Sequence, residues 1–307
     1  MTIIPPYLKP GDTIGITSPG SYFSLEDAGP AIAALERWGY RVRTGSTLQT
    51  RFYQFAGTDA TRAADLQQML DDPEIRAIVC ARGGYGTLRI IDRLDFNRFY
   101  LHPKWLTGYS DITVLHAHIQ AQLHIPTLHA EMCIDLKSDT RDASAFSLRR
   151  ALRGDRLSYE IPPDAANRQG TARGILVGGN LSLLAALAGS PSAMDTDGKI
   201  LFLEDVAEKF YHIDSMLYTL RRSGRLSFLA GLLIGGFTRL KEDDEGPFGQ
   251  TVQQIILDKV KEFDFPVCFG FPAGHQHENY ALKLGLPYEL TVRPDYCRLA
   301  EEAVSGF

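Results

Sequence analysis

Cysteine is scarce in this sequence. Cys80, Cys133, Cys268 and Cys297 are the whole complement, none sits in a CxxC pair, and their spacings are wide. That argues against a disulfide framework and for a reducing compartment. Long apolar runs are missing as well: none approaches the roughly 18 residues of a membrane-spanning helix. Met1-Thr2-Ile3-Ile4-Pro5-Pro6 has no basic segment leading into an apolar stretch, so no signal peptide is expected. Basic clusters are also lacking. Lysine and arginine are scattered in a chain of net charge −5, against both a nucleic-acid footprint and a polybasic membrane patch. Internal repeats and low-complexity tracts are absent. Together these gaps describe a cytoplasmic protein with neither nucleic acid nor membrane as partner.

What is present is ordinary globular composition: 307 residues, 44% hydrophobic and 22% charged. Domains hold roughly 100–200 residues, so two are expected. In the first half, short apolar runs alternate with helical patterns. Thr13–Thr17 reads as a strand ended by Ser18-Pro19-Gly20. A helix is expected from Leu25 to Trp38, with Ala28, Ile32 and Leu35 on one face and Gly39 as its stop. Tyr40–Arg43 alternates like a strand. Thr58 can cap a helix through Leu66, Met69 and Leu70 that closes at Asp71-Asp72-Pro73. Ala77–Cys80 is a continuous apolar run, as in a strand covered on both faces. A glycine turn follows, then an expected helix with Leu88, Ile91 and Leu94, a strand at Trp105–Tyr109, and a helix marked by Ile112, Leu115 and Ile119. This order implies a doubly wound, mostly parallel sheet.

The polar stretch 137–170, with Pro162-Pro163, reads as a linker between a first α/β domain over 1–136 and a smaller, β-rich α+β domain over 171–307. In the latter, strands are expected at Gly174–Val177, Ile200–Leu203, Leu232–Ile234 and Val267–Phe269, and helices at His212–Arg222 and Thr251–Phe263. Leu282–Leu284 and Tyr288–Val292 flank Gly285-Leu286-Pro287 and can pair as a hairpin.

Four segments carry candidate chemistry. Gly108-Tyr109-Ser110-Asp111-Ile112-Thr113 lies where a strand meets a helix. A serine at such a corner is pushed out of the sheet, and the N–H after it points at any oxyanion that forms. It departs from GxSxG, with Ile112 in the second glycine position, and Ser110 or Asp111 can equally serve only as a helix cap. Arg82-Gly83-Gly84-Tyr85-Gly86 follows a buried strand. Paired glycines allow positive φ and close approach of a ligand. The segment matches neither GxGxxG nor a Walker loop, which leaves an oxyanion donor at Gly84 or a plain tight turn. Glu204 and Asp205 end the apolar Leu201–Leu203 run, where a carboxylate can orient a histidine or merely face solvent. His275 stands in the loop Phe271–His277. His275-x-His277 and His116-x-His118 have metal-ligand spacing, but no third ligand is apparent from spacing, and no metal is expected.

Taken together and in order, Ala81–Gly86, Gly108–Thr113, Gly178-Gly179-Asn180-Leu181, Leu203-Glu204-Asp205 and Gly274-His275 resemble the LD-carboxypeptidase family, across both halves of the chain. The resemblance implies Ser110 as nucleophile, His275 as general base and acid, Glu204 as the residue that orients the histidine, and the N–H groups of Gly84 and Asp111 as the oxyanion hole. It implies no cofactor, a homodimer, and a murein tetrapeptide substrate cut between the L-centre of its third, dibasic residue and a terminal D-alanine. Arg82, Tyr85 and Glu208 are candidates for substrate contact. A related branch, which inactivates peptide–nucleotide antibiotics, shares the triad. An extra aromatic platform would favour that branch, but Trp38 and Trp105 both sit in core-like patterns. From another class, a non-catalytic small-ligand module would leave Ser110, Glu204 and His275 unrelated in space. A nicotinamide oxidoreductase lacks support, because the first strand and turn carry no glycine fingerprint.

Overall fold

The computed structural model describes residues 2–137, 142–244 and 246–303. The chain divides into two units: Met1–Asp155 with Tyr280–Lys283, and Arg156–Asn279 with Leu284–Phe307.

The first unit contains β1 (Thr13–Thr17), α1 (Leu25–Arg37), β2 (Arg41–Thr44), α2 (Asp59–Asp71), β3 (Ile75–Cys80), α3 (Asn97–Leu101), β4 (Trp105–Gly108), α4 (Thr113–Leu123), β5 (Thr127–His129) and α5 (Ala143–Arg153). Ser24 and Thr58 accept hydrogen bonds from Asp27 N and Thr61 N and so cap α1 and α2. The buried face of α1 consists of Ala28, Ala31, Ala34 and Leu35, small enough for close packing. Ile14, Ile16, Ile78 and Val79 are fully buried, as expected of strands covered on both sides.

Among the first five strands, β2 pairs β1, β1 pairs β3, β3 pairs β4 and β4 pairs β5, all in parallel. The chain order thus reverses between β1 and β3. In open parallel sheets, ligands bind beyond the carboxyl ends of the strands at such a reversal. Here those ends lead into Ser18–Gly20, Ala81–Gly84 and Tyr109–Ser110.

The second unit holds β6 (Ser158–Ile161), β7 (Gly170–Asn180), α6 (Leu181–Ala186), β8 (Ile200–Val206), α7 (Phe210–Arg222), β9 (Gly231–Thr238), α8 (Val252–Lys259), β10 (Val267–Cys268), β12 (Pro287–Val292) and β13 (Cys297–Glu301); β11 (Leu282–Leu284), which lies between β10 and β12 in sequence, falls mostly in the first unit. Its seven-stranded sheet runs β10-β9-β8-β7-β12-β13-β6. The β10–β7 half is parallel and the β7–β6 half antiparallel.

Three sequence expectations need correction. The stretch read as a linker over 137–170 carries α5 and β6, and the units divide between Asp155 and Arg156; its residues 138–141 lie outside the described residues. Its polar face misled: α5 still buries Ala145, Leu148, Ala151 and Leu152, with Ser144 and Ser147 between them. The helix expected around Leu88, Ile91 and Leu94 is two short 3-10 turns, Thr87–Arg89 and Ile91–Arg93. The expected hairpin does not form. β11 joins the six-stranded sheet beside β5, whereas β12 pairs β7 and β13. Backbone bonds Gly285 N to Leu176 O (2.7 Å) and Leu176 N to Leu286 O (2.9 Å) hold the intervening turn on β7 instead of closing β11 on β12.

Candidate active site

In the first unit, Ser110 sits at the end of β4, with φ +62°. A left-handed residue that is not glycine costs of order 1–2 kcal/mol and persists only where its surroundings impose it. Several contacts do so. The carbonyl of Gly108 accepts bonds from the Nε2–H of His116 (2.8 Å) and from Ala130 N (3.3 Å). Tyr109 O accepts from Ile112 N at 3.2 Å and so closes the 3-10 turn Ser110–Ile112. Ile112 fits in the second glycine position because the glycine at 108 has no side chain. A Cβ there would lie 2.8 Å from Ile112 Cγ1.

The loop after β3 lies against this corner. A Cβ on Gly83 would sit 3.0 Å from Ser110 Cβ and 3.3 Å from both Ser110 Oγ and Asp111 N. Gly84 has φ +88°, and a side chain there would collide with Ser21. Ser21 N donates to Gly83 O at 3.0 Å, joining the loops after β1 and β3. Arg62, fully buried on α2, braces the same loops through bonds to Pro19 O and Gly86 O, and also pairs with Asp59. The carboxylate of Asp111 is buried and accepts from Thr87 N (2.9 Å) and Thr87 Oγ1 (2.7 Å). Burial pushes its pKa above the ordinary carboxylate range despite the Thr87 donors. Among the described residues, no backbone carbonyl in the turns and loops takes the N–H of Gly84 or Asp111.

In the second unit, β8 carries Glu204 to its end with no exposed surface. Glu204 Oε2 accepts from His275 N at 3.1 Å and lies 2.6 Å from His275 Nδ1. The two bonds set both the loop position and the orientation of the imidazole ring, with Nδ1–H as donor to the carboxylate. The loop is held further by Thr238 Oγ1 donating to His275 O (2.5 Å), Gly274 N donating to Asn279 Oδ1 (2.8 Å), and Gly236 N donating to Ala273 O (2.9 Å). Glycine at 235 makes this last approach possible: a Cβ there would meet Ala273 O and lie 2.8 Å from Phe202 Cε2. Behind this loop is a cavity of about 610 Å³ whose lining includes Phe210, Phe237, Gln250, Phe269 and Gln276.

The acid pair at the end of β8 is buried, not solvent-facing: Asp205 is 1% exposed. The other sequence candidates are placed as follows. Arg82 is exposed and donates to Tyr22 O at 3.4 Å. Tyr85 is 47% exposed, with its ring 6.2 Å from that of Phe55. Glu208 holds His212 Nδ1 at 3.0 Å, one turn along the chain. No group of three potential metal ligands occurs among the described residues. In the HxH pair of α4, His116 turns to Gly108 O while His118 packs its ring 5.0 Å from that of Phe96. Trp38 and Trp105 are both buried, the latter stacked on Tyr7. Sequence reading missed Arg62, Thr238 and Asn279. An arginine on a helix and polar residues in loops carry no local mark of burial.

The first unit thus presents a serine at a strained strand-to-helix corner beside glycine loops, and the second a buried carboxylate–histidine pair, groups of the kind a serine hydrolase uses. The chain matches the LD-carboxypeptidase N-terminal domain over residues 14–130 and the LD-carboxypeptidase C-terminal domain over residues 173–290. It is 36% identical over 289 residues to a probable murein peptide carboxypeptidase of Bacillus subtilis, covering 92% of this chain and 89% of the relative. To the murein tetrapeptide carboxypeptidase of Pseudomonas aeruginosa it is 29% identical, covering 89% and 91%. Its fold superposes on the crystal structure of muramoyltetrapeptide carboxypeptidase from Oxalobacter formigenes with TM-score 0.86 and 27% identity, covering 95% and 99% of the two chains. At 21% identity, the fold also matches MccF in complex with glutamyl sulfamoyl guanosine, with TM-score 0.86 and coverage of 97% and 98%. The protein belongs to the LD-carboxypeptidase family and is a serine carboxypeptidase. Among the described residues, no helix is long and apolar enough to cross a membrane.

Proposed function

We propose that this enzyme releases the terminal D-alanine from cytoplasmic murein tetrapeptides, cutting after the L-centre of the third, dibasic residue, as part of peptidoglycan recycling. The observation that carries the chemical part is Ser110 held at φ +62° beside Gly83 and Gly84. The names of the relatives supply the substrate class.

In this mechanism, Ser110 Oγ attacks the scissile carbonyl carbon and passes its proton to Nε2 of His275. The oxyanion is received by the N–H groups of Gly84 and Asp111; one such donor is worth roughly 100- to 1,000-fold in rate. His275 then gives the proton to the departing amine, and D-alanine leaves an acyl-enzyme on Ser110. Water attacks that ester, His275 takes its proton and returns it to Ser110 Oγ, and the tripeptide is released. Glu204 holds the imidazole through Nδ1 and stabilises the imidazolium formed in each half-reaction. Arg82, Tyr85 and Glu208 are proposed as substrate contacts. Four buried free thiols support the cytoplasmic setting. The homodimer remains part of the proposal, and sedimentation showing only monomer would remove it.

The test is mass-spectrometric detection of D-alanine release from a murein tetrapeptide by the wild type and by Ser110→Ala. Release that the substitution abolishes supports the reading. A folded wild type that releases nothing transfers the proposal to the second reading, hydrolysis of an aminoacyl–nucleotide conjugate of the type named for MccF. The burial of both tryptophans leaves neither available as a nucleobase platform, which favours the peptide.

A further inference from the structure

Asp205 follows Glu204 directly and is almost completely buried, yet the mechanism above leaves it unused. Its two oxygens are fully engaged. Oδ1 accepts from Asn180 Nδ2 at 3.0 Å and from Val206 N at 2.8 Å, while Oδ2 accepts from Ser182 N at 2.9 Å. These partners come from three elements, β7, α6 and β8 itself. Asn180 ends β7 and caps α6, its Oδ1 accepting from Ser182 Oγ (2.6 Å) and Leu183 N (3.3 Å). Asn180 is also the residue paired with Glu204 in the β7–β8 register. Asp205 therefore ties the end of β8, at Glu204, to the turn where β7 becomes α6.

That tie is needed because the sheet is irregular at this point. On β9 the register passes from Leu203↔Ile234 to Asp205↔Phe237, so Gly235-Gly236 form a bulge opposite Glu204. A bulge removes ladder bonds and bends its strand. The β9 side thus gives Glu204 little backbone support, and the clamp through Asp205 supplies it from the β7 side. We propose that Asp205 is a positioning residue for the Glu204–His275 pair, acting as the clamp that fixes Glu204.

The three donors are all N–H groups, so the clamp is strongest with Asp205 ionised. Burial is the main force against ionisation and pushes Asp205 up to about 7, with Val206 N and Asn180 opposing it and the charges of Glu204 and Glu208 adding to it. Near neutrality the clamp therefore tightens as pH rises.

This inference rests on the triad reading, so its test uses a readout independent of the peptide: the second-order rate of Ser110 labelling by a fluorophosphonate, followed against pH. Wild type, Asp205→Asn and Asn180→Ala are compared. Asp205→Asn removes the charge and sets an amide against Ser182 N. It is expected to label about 10-fold more slowly at its plateau. Near neutrality its rate should rise less with pH than that of the wild type, because the wild-type clamp tightens as Asp205 ionises and the amide cannot. Asn180→Ala loosens the clamp and keeps the ionisable group, so it should slow labelling while keeping a rise with pH near neutrality. It also carries the test if Asp205→Asn does not fold. Wild-type rate and profile in a folded Asp205→Asn would overturn the proposal, as would a wild-type rate in Asn180→Ala where only that variant folds. Failure of the wild type to label at all would instead overturn the triad reading.

Discussion

Gly274 is the position at which one added methyl group should separate structure from chemistry. It precedes His275, has φ +97°, and a Cβ there would lie 2.6 Å from Glu204 Oε2 and 2.7 Å from both Glu204 Cβ and Cγ. Gly274→Ala therefore adds two costs. The positive φ costs about 1–2 kcal/mol for any L side chain, and the overlap adds about 1–3 kcal/mol of overpacking. The Glu204 side chain is buried with its Cβ fixed by β8, so it cannot simply swing aside. The expected loss is about 2–5 kcal/mol in chemical denaturation. Gly189 supplies the control. It has φ +82° with nothing within 4 Å of an added Cβ, so Gly189→Ala should lose only the backbone part, about 1–2 kcal/mol. Displacing Glu204 also turns the His275 ring. A misplacement approaching 1 Å is worth about 100-fold in kcat for D-alanine release, whereas Gly189→Ala should leave kcat unchanged. Equal stability losses in the two variants, with kcat intact in Gly274→Ala, would refute the argument that Gly274 is glycine to make room for Glu204.

Two buried titratable groups in the first unit predict opposite pH dependences. His116 is wholly buried, and burial lowers it from 6.5 to about 4, the bond to Gly108 opposing. The unfolded chain binds a proton there between those values and the folded chain does not, so stability falls as pH drops from about 6.5 to about 4, by about 3 kcal/mol at most. Replacing His116 with Gln should flatten that limb in denaturation curves measured across the window. Glu131 is 4% exposed, its Oε2 has no hydrogen-bond partner among the described residues, and burial raises it from 4.5 to about 8, with Asp142 and Asp135 adding to the rise. Here the folded chain holds the extra proton, so stability falls as pH rises through that window. Glu131→Gln should raise the melting temperature at pH 8 and leave it nearly unchanged at pH 4.5, and a uniform shift at both would count against a titrating Glu131.

The sequence by itself determined the local elements and nominated the reacting groups of the proposed mechanism. The apolar runs of β1, β3 and β8, the caps Ser24 and Thr58, and the strand–turn–helix around Ser110 are written in residues close to one another, since they depend on periodicity and turn chemistry. The family motifs that nominate Ser110, Glu204 and His275 are legible for the same reason. Tertiary structure alone decided which neighbours those residues have. Nothing local says that Leu282–Leu284 leaves its sequence partner for β5, because strand pairing is chosen among distant edges. Nor does local sequence mark α5, whose serines look solvent-facing until the structure buries them. The same holds for charge: Arg62, Glu131 and Asp205 are polar letters in the sequence, and only the packing of other elements removes their water. Burial removes the solvent that would otherwise stabilise a charge, so the groups whose ionisation and bonding shape the site are those that sequence reads least well.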